Sequence, residues 1–487
     1  MTEPTIYELS SSGRTGVRFP EPDVPLTDLP KSLMREELPL PELSEVDVIR
    51  HFTHLSSLNY CIDSGLYPLG SCTMKYNPKI NEEVARLEGF AATHPLQPEV
   101  TIQGNLALMY DLQETLKEIA GFAALTLEPA AGAQGEFTGV KIISAYHQSR
   151  SDIKRTKILI PDSAHGTNPA TSAMSGFEVV PLPSDARGNV DLAKLREVCD
   201  DTVAGLMLTN PNTLGLFDEN VVEVIEIVHK AGGLVYGDGA NLNALLGIVR
   251  PGDLGFDIMH FNLHKTFSTP HGGGGPGSGP VGVAAHLADF LPTPLVGIVE
   301  KATADQPPLY GFIKPSQTIG RVKSFYGQFG MFVRAYTYIR MHGPEGLRKV
   351  SEYAVLNANY LLSKLGDAYT LPYKRVCMHE FVVEGSWPDV PNIHALDIAK
   401  RLMDYKFHPP TNYFPLIVHE ALMIEPTETE SKQSLDAFAE ALLAIAKEAR
   451  ETPELLKEAP HDTPIGRLDE VKAAKELVLC CWLPEDK

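Results

Sequence analysis

Asp257-Ile258-Met259-His260-Phe261-Asn262-Leu263-His264-Lys265-Thr266-Phe267 is the stretch on which the reading of this chain turns. Residues 258–262 form a short run rich in apolar β-formers, the pattern of a buried strand. Lys265 follows its end, between His264 and Thr266. In open α/β sheets ligands bind beyond the carboxyl ends of strands. An amine placed there becomes nucleophilic when burial or cationic neighbours depress its pKa, and it then condenses with an aldehyde. Alone, Lys265 is more simply a surface lysine. Downstream come His271, Gly272 to Gly275, Pro276 and Gly277. Gly272, Gly274 and Gly277 satisfy G-x-G-x-x-G, but Pro276 interrupts the loop and no helix pattern opens there, so a dinucleotide fingerprint is disfavoured. A loop whose backbone approaches a ligand or a partner chain fits better.

A carboxylate gives the lysine a companion. Leu234-Val235-Tyr236-Gly237-Asp238-Gly239-Ala240-Asn241 reads as a strand ending in Asp238, 27 positions before Lys265, about one crossover of a βαβ unit. Pyridoxal phosphate (PLP) needs a lysine for its aldehyde carbon and a carboxylate beside its pyridine nitrogen. Successive strand ends can supply both, although Asp-Gly is also a common turn. Glu128-Pro129-Ala130-Ala131-Gly132-Ala133-Gln134-Gly135-Glu136 leads into a helix carrying Val140, Ile143 and Tyr146. Backbone N–H groups at such a helix start suit a phosphate, and the Gln134 side chain can add a donor. Pro161-Asp162-Ser163-Ala164-His165-Gly166-Thr167-Asn168 follows another strand-like run, and His165 there could lie flat on a pyridine ring or merely face solvent.

Around these segments the chain alternates. Strand-like runs at 157–160, 177–182, 205–209, 234–236 and 258–262 are separated in places by helical patterns such as 221–231, which implies a mostly parallel sheet flanked by helices. Leu108, Leu112, Leu116 and Ile119 mark a helix that Gly121 should cap. Three parts are expected: an extended, proline-broken N-terminal arm over 1–95, a large cofactor-binding domain over 96–328, and a smaller α+β domain with a tail over 329–487. Residues 295–328 read as a Pro/Gly-interrupted crossover, 331–341 as a helix, 381–383 and 416–419 as short strands, and 447–457 as a solvated helix.

Composition limits the function classes. The 487 residues exceed what one hydrophobic core organises. A formal net charge of −20 argues against nucleic acid as the main partner. Six scattered cysteines without a CxxC pair support neither a disulfide scaffold nor a structural zinc site. His379-Glu380 and His419-Glu420 lack the second histidine of HExxH, so no metal is expected. With no secretory signal and no apolar run long enough for a membrane span, a cytoplasmic, soluble protein is expected.

The strings around Lys265, Asp238, His165 and Gly132, together with Pro68-Leu69-Gly70-Ser71-Cys72-Thr73-Met74-Lys75, resemble the P-protein family of the glycine cleavage system, in particular the second subunit of its two-subunit form. The resemblance runs from about residue 60 to about 430. It implies a fold-type I PLP-dependent transferase fold with Lys265 as the Schiff-base lysine, Asp238 at the pyridine nitrogen, Ala240 against the ring and His165 stacked on it. It assigns Gly132, Ala133 and Gln134 to the phosphate loop and Thr167, Thr213, His264 and His271 to the pocket; of these, His264 or His271 is the expected proton donor on chemical grounds. It further implies glycine decarboxylation with aminomethyl transfer to the lipoyl arm of H-protein, and an α2β2 assembly with a homologous first subunit. Lys406 departs from the family pattern, which has glycine there. The alternatives are another fold-type I PLP enzyme, an aminotransferase or lyase, and a non-catalytic scaffold subunit.

Overall fold

The computed structural model describes residues 3–36, 38, 40–270 and 277–479; His271 and the run 272–276 lie outside them. The chain forms two compact units, Met1–Ser64 with Pro460–Lys487, and Gly65–Ala459. In the first, the prolines leave most of the segment before residue 44 without regular structure, apart from a 3-10 turn at Lys31–Leu33. A helix begins where a capping box allows it: Ser44 accepts from the Asp47 N–H and Asp47 returns the bond, opening Glu45–Leu58. Val17, Phe19, Leu26, Leu29, Leu33 and Leu40 are all exposed within this unit.

The second unit is built on a sheet of seven strands: β1 Ala124–Thr126, β2 Lys157–Pro161, β3 Glu178–Leu182, β4 Val203–Thr209, β5 Leu234–Gly239, β6 Ile258–Phe261 and β7 Val281–Val283. Their order is β1-β7-β6-β5-β4-β2-β3. β2 to β6 run parallel, whereas β7 lies antiparallel to β6 and β1. β4, β5 and β6 are buried along their length, so they read as continuous apolar runs rather than as alternation. The helix Gln103–Ala120 ends where Gly121 adopts φ 80° and its N–H reaches back to Lys117 O, the expected cap.

Two segments depart from the sequence reading. Residues 295–328 contain a hairpin, β8 Leu295–Glu300 against β9 Leu309–Ile313, because Leu295-Val296-Gly297-Ile298-Val299 is a β-forming run bounded by Pro294 and the Pro307-Pro308 pair. Residues 416–419 are a turn, not a strand: Pro415 has no N–H for a ladder, Leu416 is exposed, and Glu420 turns the chain at φ 47°. Strand pairing resumes one residue later, in the three-stranded sheet of β10 Phe381–Glu384, β11 Thr411–Asn412 and β12 Ala421–Ile424. The helix over 331–341 lies within Phe329–Leu365, which Gly343 interrupts ahead of Pro344. The charged stretch 447–457 divides at Thr452, between Lys432–Glu451 and Pro453–Lys457. Lys406 sits at φ 65°, a left-handed geometry that favours the glycine the resemblance leads one to expect.

One helix is pressed unusually close to the sheet. In Gly132–Ser149, Gly132, Gly135 and Gly139 share a face, and a Cβ on them would come within 2.5 Å of Asn262 Nδ2, 2.8 Å of His260 Cβ and 2.4 Å of the Tyr236 ring. The absent side chains bring the helix start down onto the ends of β5 and β6. Tyr236 is fully buried and its hydroxyl donates to His260 Nδ1 at 2.5 Å, so it has little room to yield. Gly139→Ala is therefore expected to destabilise by about 1–3 kcal/mol, as overpacking does. A urea midpoint equal to wild type would contradict this packing.

Candidate active site

Asp238 ends β5, and Lys265 lies in the single helical turn Leu263–Thr266 that follows β6. β5 and β6 are neighbours, with Asp238 opposite His260, so carboxylate and amine emerge from adjacent strands. Asp238 is buried; its Oδ1 accepts from Ala240 N at 2.9 Å and lies 3.5 Å from His260 Nε2. Burial opposes its ionisation, but the pull of His260 and Lys265 and the Ala240 N–H outweigh that, holding the carboxyl below its ordinary range. Burial pushes the His260 pKa down, while the Asp238 carboxylate and Asn262 pull against that. Its tautomer then follows from its partners: Tyr236 donates to Nδ1 and Nε2 donates to Asn262 Oδ1 at 2.9 Å.

The helix start at Gly132 has no side-chain cap, so the first-turn N–H groups of Gly132, Ala133 and Gln134 lack intrahelical acceptors. The Gln134 side chain is spent locally, accepting from Ala130 N at 2.6 Å and donating to Val322 O at 2.5 Å, so the backbone supplies the donors there. His165 is solvent-exposed, with Nδ1 3.0 Å from Thr167 Oγ1 and its ring edge-on to Phe414; partial desolvation of the ring and the Lys265 charge lower its pKa. Thr213 is buried and donates to Ser163 O at 2.5 Å, tying two strand-end loops together. His264 Nδ1 accepts from Ser278 N at 3.2 Å. Ala240 is buried beside Asp238.

Sequence reasoning left three roles unread. Glu136, one turn into the helix, accepts from Thr167 Oγ1 at 2.7 Å and Thr171 Oγ1 at 3.3 Å. It thereby fixes the loop that carries His165. Burial, then the Asp238 charge, raise its pKa to about 7. Removing the carboxyl with Glu136→Leu frees Thr167 and is expected to weaken cofactor affinity about tenfold, the value of one such bond; an unchanged cofactor Kd would refute that role. The segment 68–75 lies against this centre: the Lys265 Nζ donates to Ser71 O at 2.7 Å. Lys75 is buried and bonds Glu428 Oε1 (2.7 Å), Thr266 O (2.7 Å) and Asn243 Oδ1 (2.8 Å), which anchors the segment to the turn bearing Lys265. The third feature is a buried trio, His379, Glu380 and Glu425, whose polar atoms lie within 4.8 Å of one another. Cys72 carries a thiol that burial keeps protonated. A glutamate at a helix start and a lysine in a loop both look solvent-facing in sequence, so only the fold reveals them.

These residues fit PLP. The amine, the buried carboxylate, the uncapped helix start and the glycine face converge on one place, and Asn168 Oδ1, Thr266 Oγ1 and Ser278 Oγ are buried there without hydrogen-bond partners among the described residues. Family models for aminotransferase class-V and for the C-terminal domain of glycine dehydrogenase match residues 142–274 and 350–462. The chain is 60% identical, over 97% of its length and 98% of the relative's, to the probable glycine dehydrogenase (decarboxylating) subunit 2 of Caldanaerobacter subterraneus subsp. tengcongensis. It is 57% identical to the protein of that name from Listeria innocua, over 98% of both chains. Its fold is similar to that of a glycine decarboxylase (P-protein) of the glycine cleavage system in inhibitor-bound form, with TM-score 0.72 and 21% identity over 86% of this chain and 93% of that one. A cysteine desulfurase from Thermococcus onnurineus shares the fold at TM-score 0.59 and 16% identity, over 79% of this chain and 95% of that one. Fold and site together define a fold-type I PLP-dependent enzyme, a mostly parallel sheet flanked by helices with a smaller C-terminal part. Within that class, the chain belongs to the glycine dehydrogenase (decarboxylating) subunit 2 family.

Proposed function

We propose that this chain is the catalytic subunit of a two-subunit glycine decarboxylase, with Lys265 as the attachment point of PLP and Asp238 as the partner of its ring nitrogen. It is a PLP-dependent glycine dehydrogenase (aminomethyl-transferring) that decarboxylates glycine in the glycine cleavage system. The observation that carries the site assignment is the delivery of both groups by the adjacent strands β5 and β6. PLP, when bound, supplies an electron sink for the charge left on the glycine carbon as carbon dioxide departs. The chain's own residues do the rest. Asp238, ionised and buried, keeps a proton on the ring nitrogen. Gly132, Ala133 and Gln134 offer backbone N–H groups to the phosphate. His165, steered by Thr167 and Glu136, covers the open face, with Ala240 and Thr213 shaping the pocket. His264, whose Nδ1 accepts from Ser278 N, is the proton donor we favour during aminomethyl transfer to the lipoyl arm of H-protein; His271, the other donor expected from sequence, lies outside the described residues.

As a second subunit the chain implies a first one. We place the partner contact on the exposed apolar side chains of the N-terminal arm and infer an α2β2 heterotetramer. Among the described residues no helix is long and apolar enough to cross a membrane, and we infer a cytoplasmic enzyme. Exchange of labelled carbon dioxide into glycine tests the function. It should be weak for this chain alone and strong with the first subunit and lipoylated H-protein. Transamination or desulfuration under the same conditions, without exchange, would instead favour another PLP enzyme of this fold.

A further inference from the structure

Antiparallel pairing of β10 with β12, Phe381 opposite Ile424, sets Glu380 opposite Glu425, just past the paired ends of the strands. Both are wholly buried. Two like charges facing each other across a sheet destabilise it, and more so out of water. Each carboxylate nevertheless has a definite task. Ser71 N donates to Glu380 Oε2 at 2.7 Å and Thr73 N donates to Glu425 Oε2 at 2.9 Å. The peptide carbonyl of the same Ser71 receives Lys265 Nζ at 2.7 Å. Ser71 and Thr73 adopt φ 63° and 40°, geometries that non-glycine residues hold only when their surroundings over-determine them. The carboxylate pair does so here.

The remaining atoms settle the charge. Glu380 Oε1 accepts from Asn241 Nδ2 at 3.3 Å, while Glu425 Oε1 has no hydrogen-bond partner among the described residues. His379 Nε2 lies 3.9 Å from the first and 4.0 Å from the second, but burial pushes its pKa down to about 3, so it contributes no cation. The other titratable groups facing the pair among the described residues are Lys265, the thiols Cys72 and Cys377, both kept protonated by burial, and Lys75 with Glu428, which already satisfy each other at 2.7 Å. One negative charge on the pair balances Lys265; two would leave an excess.

We propose that Glu380 and Glu425 share a single proton and, as that singly charged pair, act as positioning residues that hold the Ser71–Thr73 turn on the Lys265 nitrogen. Burial, which raises both carboxyls and brings Glu425 to about 7, agrees with a proton retained near neutral pH. The inference rests on Lys265 as the attachment point.

The test is a pH titration of the visible absorbance of the lysine–cofactor adduct in holoenzyme with its partner subunit. The band must first be present in wild type; its absence would sink the attachment reading and leave the pair undecided by this readout. Glu380→Gln and Glu425→Gln each keep one negative charge and should leave the midpoint in place. The double Gln variant removes it and should lower the midpoint by about one unit or more. A fall in either single variant would mean two charges, an unmoved double variant would mean none, and a stoichiometric divalent ion in the purified protein would mean that metal replaces the proton. Each result overturns the proposal. Unfolding of the apoprotein decides the same question if the double variant does not fold or the band is missing. A raised folded pKa gives stability that is present below the unfolded value of 4.5 and lost as pH rises. Wild type should therefore lose thermal stability relative to Glu425→Gln from pH 5 to 8, and parallel profiles would contradict a shared proton.

Discussion

Lys265→Ala is expected to abolish covalent cofactor attachment and to lower glycine–carbon dioxide exchange by at least about a thousand-fold, the scale on which loss of a covalent catalytic group acts. The fold should survive, because the hydrogen bond that Nζ makes, to Ser71 O, leaves behind a carbonyl on a turn still held by Glu380 and Glu425. Lys265→Arg should fail as well, since a guanidinium stays protonated and cannot attack an aldehyde. Lys75→Ala is the contrasting control. It leaves the largely buried Glu428 carboxylate without its cation, which the Asn243 and Tyr338 hydrogen bonds do not replace, and is expected to cost about 3–5 kcal/mol of stability. Attachment in the fraction that remains folded should persist. Absorbance of the purified variants, read beside their urea midpoints, separates the two lysines.

The second large effect is at Asp238. Asp238→Asn keeps the shape and can still accept from Ala240 N, so folding is retained, but the charge opposite the ring nitrogen is lost. Turnover should fall about a hundred-fold or more, as when one preorganised electrostatic stabiliser is removed. The pH dependence has a definite sign. A carboxyl held below its ordinary value contributes stability above the unfolded value of 3.8, lost only as pH falls through the lower folded value. Cofactor retention by wild type should therefore be flat in this group from neutrality down to about pH 4. A retention profile that breaks near pH 6 and disappears in Asp238→Asn would show that Asp238 carries a proton in the resting site.

Much of this was legible in the sequence because it depends on local pattern. Strand ends, the glycine cap at Gly121, and the order carboxylate-then-lysine all lie within windows of a few dozen residues. What stayed hidden depends on pairing across the chain. The 68–75 segment reads as a motif without a role until Leu69 pairs with Ile424, Glu425 N donates to Pro68 O, and Thr411 holds Gly70 O at 2.8 Å. Glu380 and Glu425 look like ordinary polar residues at strand ends, and only the register of β10 on β12 sets them face to face. Hairpin β8–β9 was obscured by its flanking prolines, whereas residues 416–419 mimicked a strand in composition but follow Pro415 and fold into a turn in which Val418 N donates to Pro415 O.

Reduction of the holoenzyme with borohydride, followed by peptide mass mapping, asks most directly whether an amine and a carboxylate from β6 and β5 grip one cofactor. The cofactor mass is expected on the peptide containing Lys265, stoichiometrically in wild type and in the folded fraction of Lys75→Ala. A label on Lys75 or any other lysine, or none, would contradict the site described.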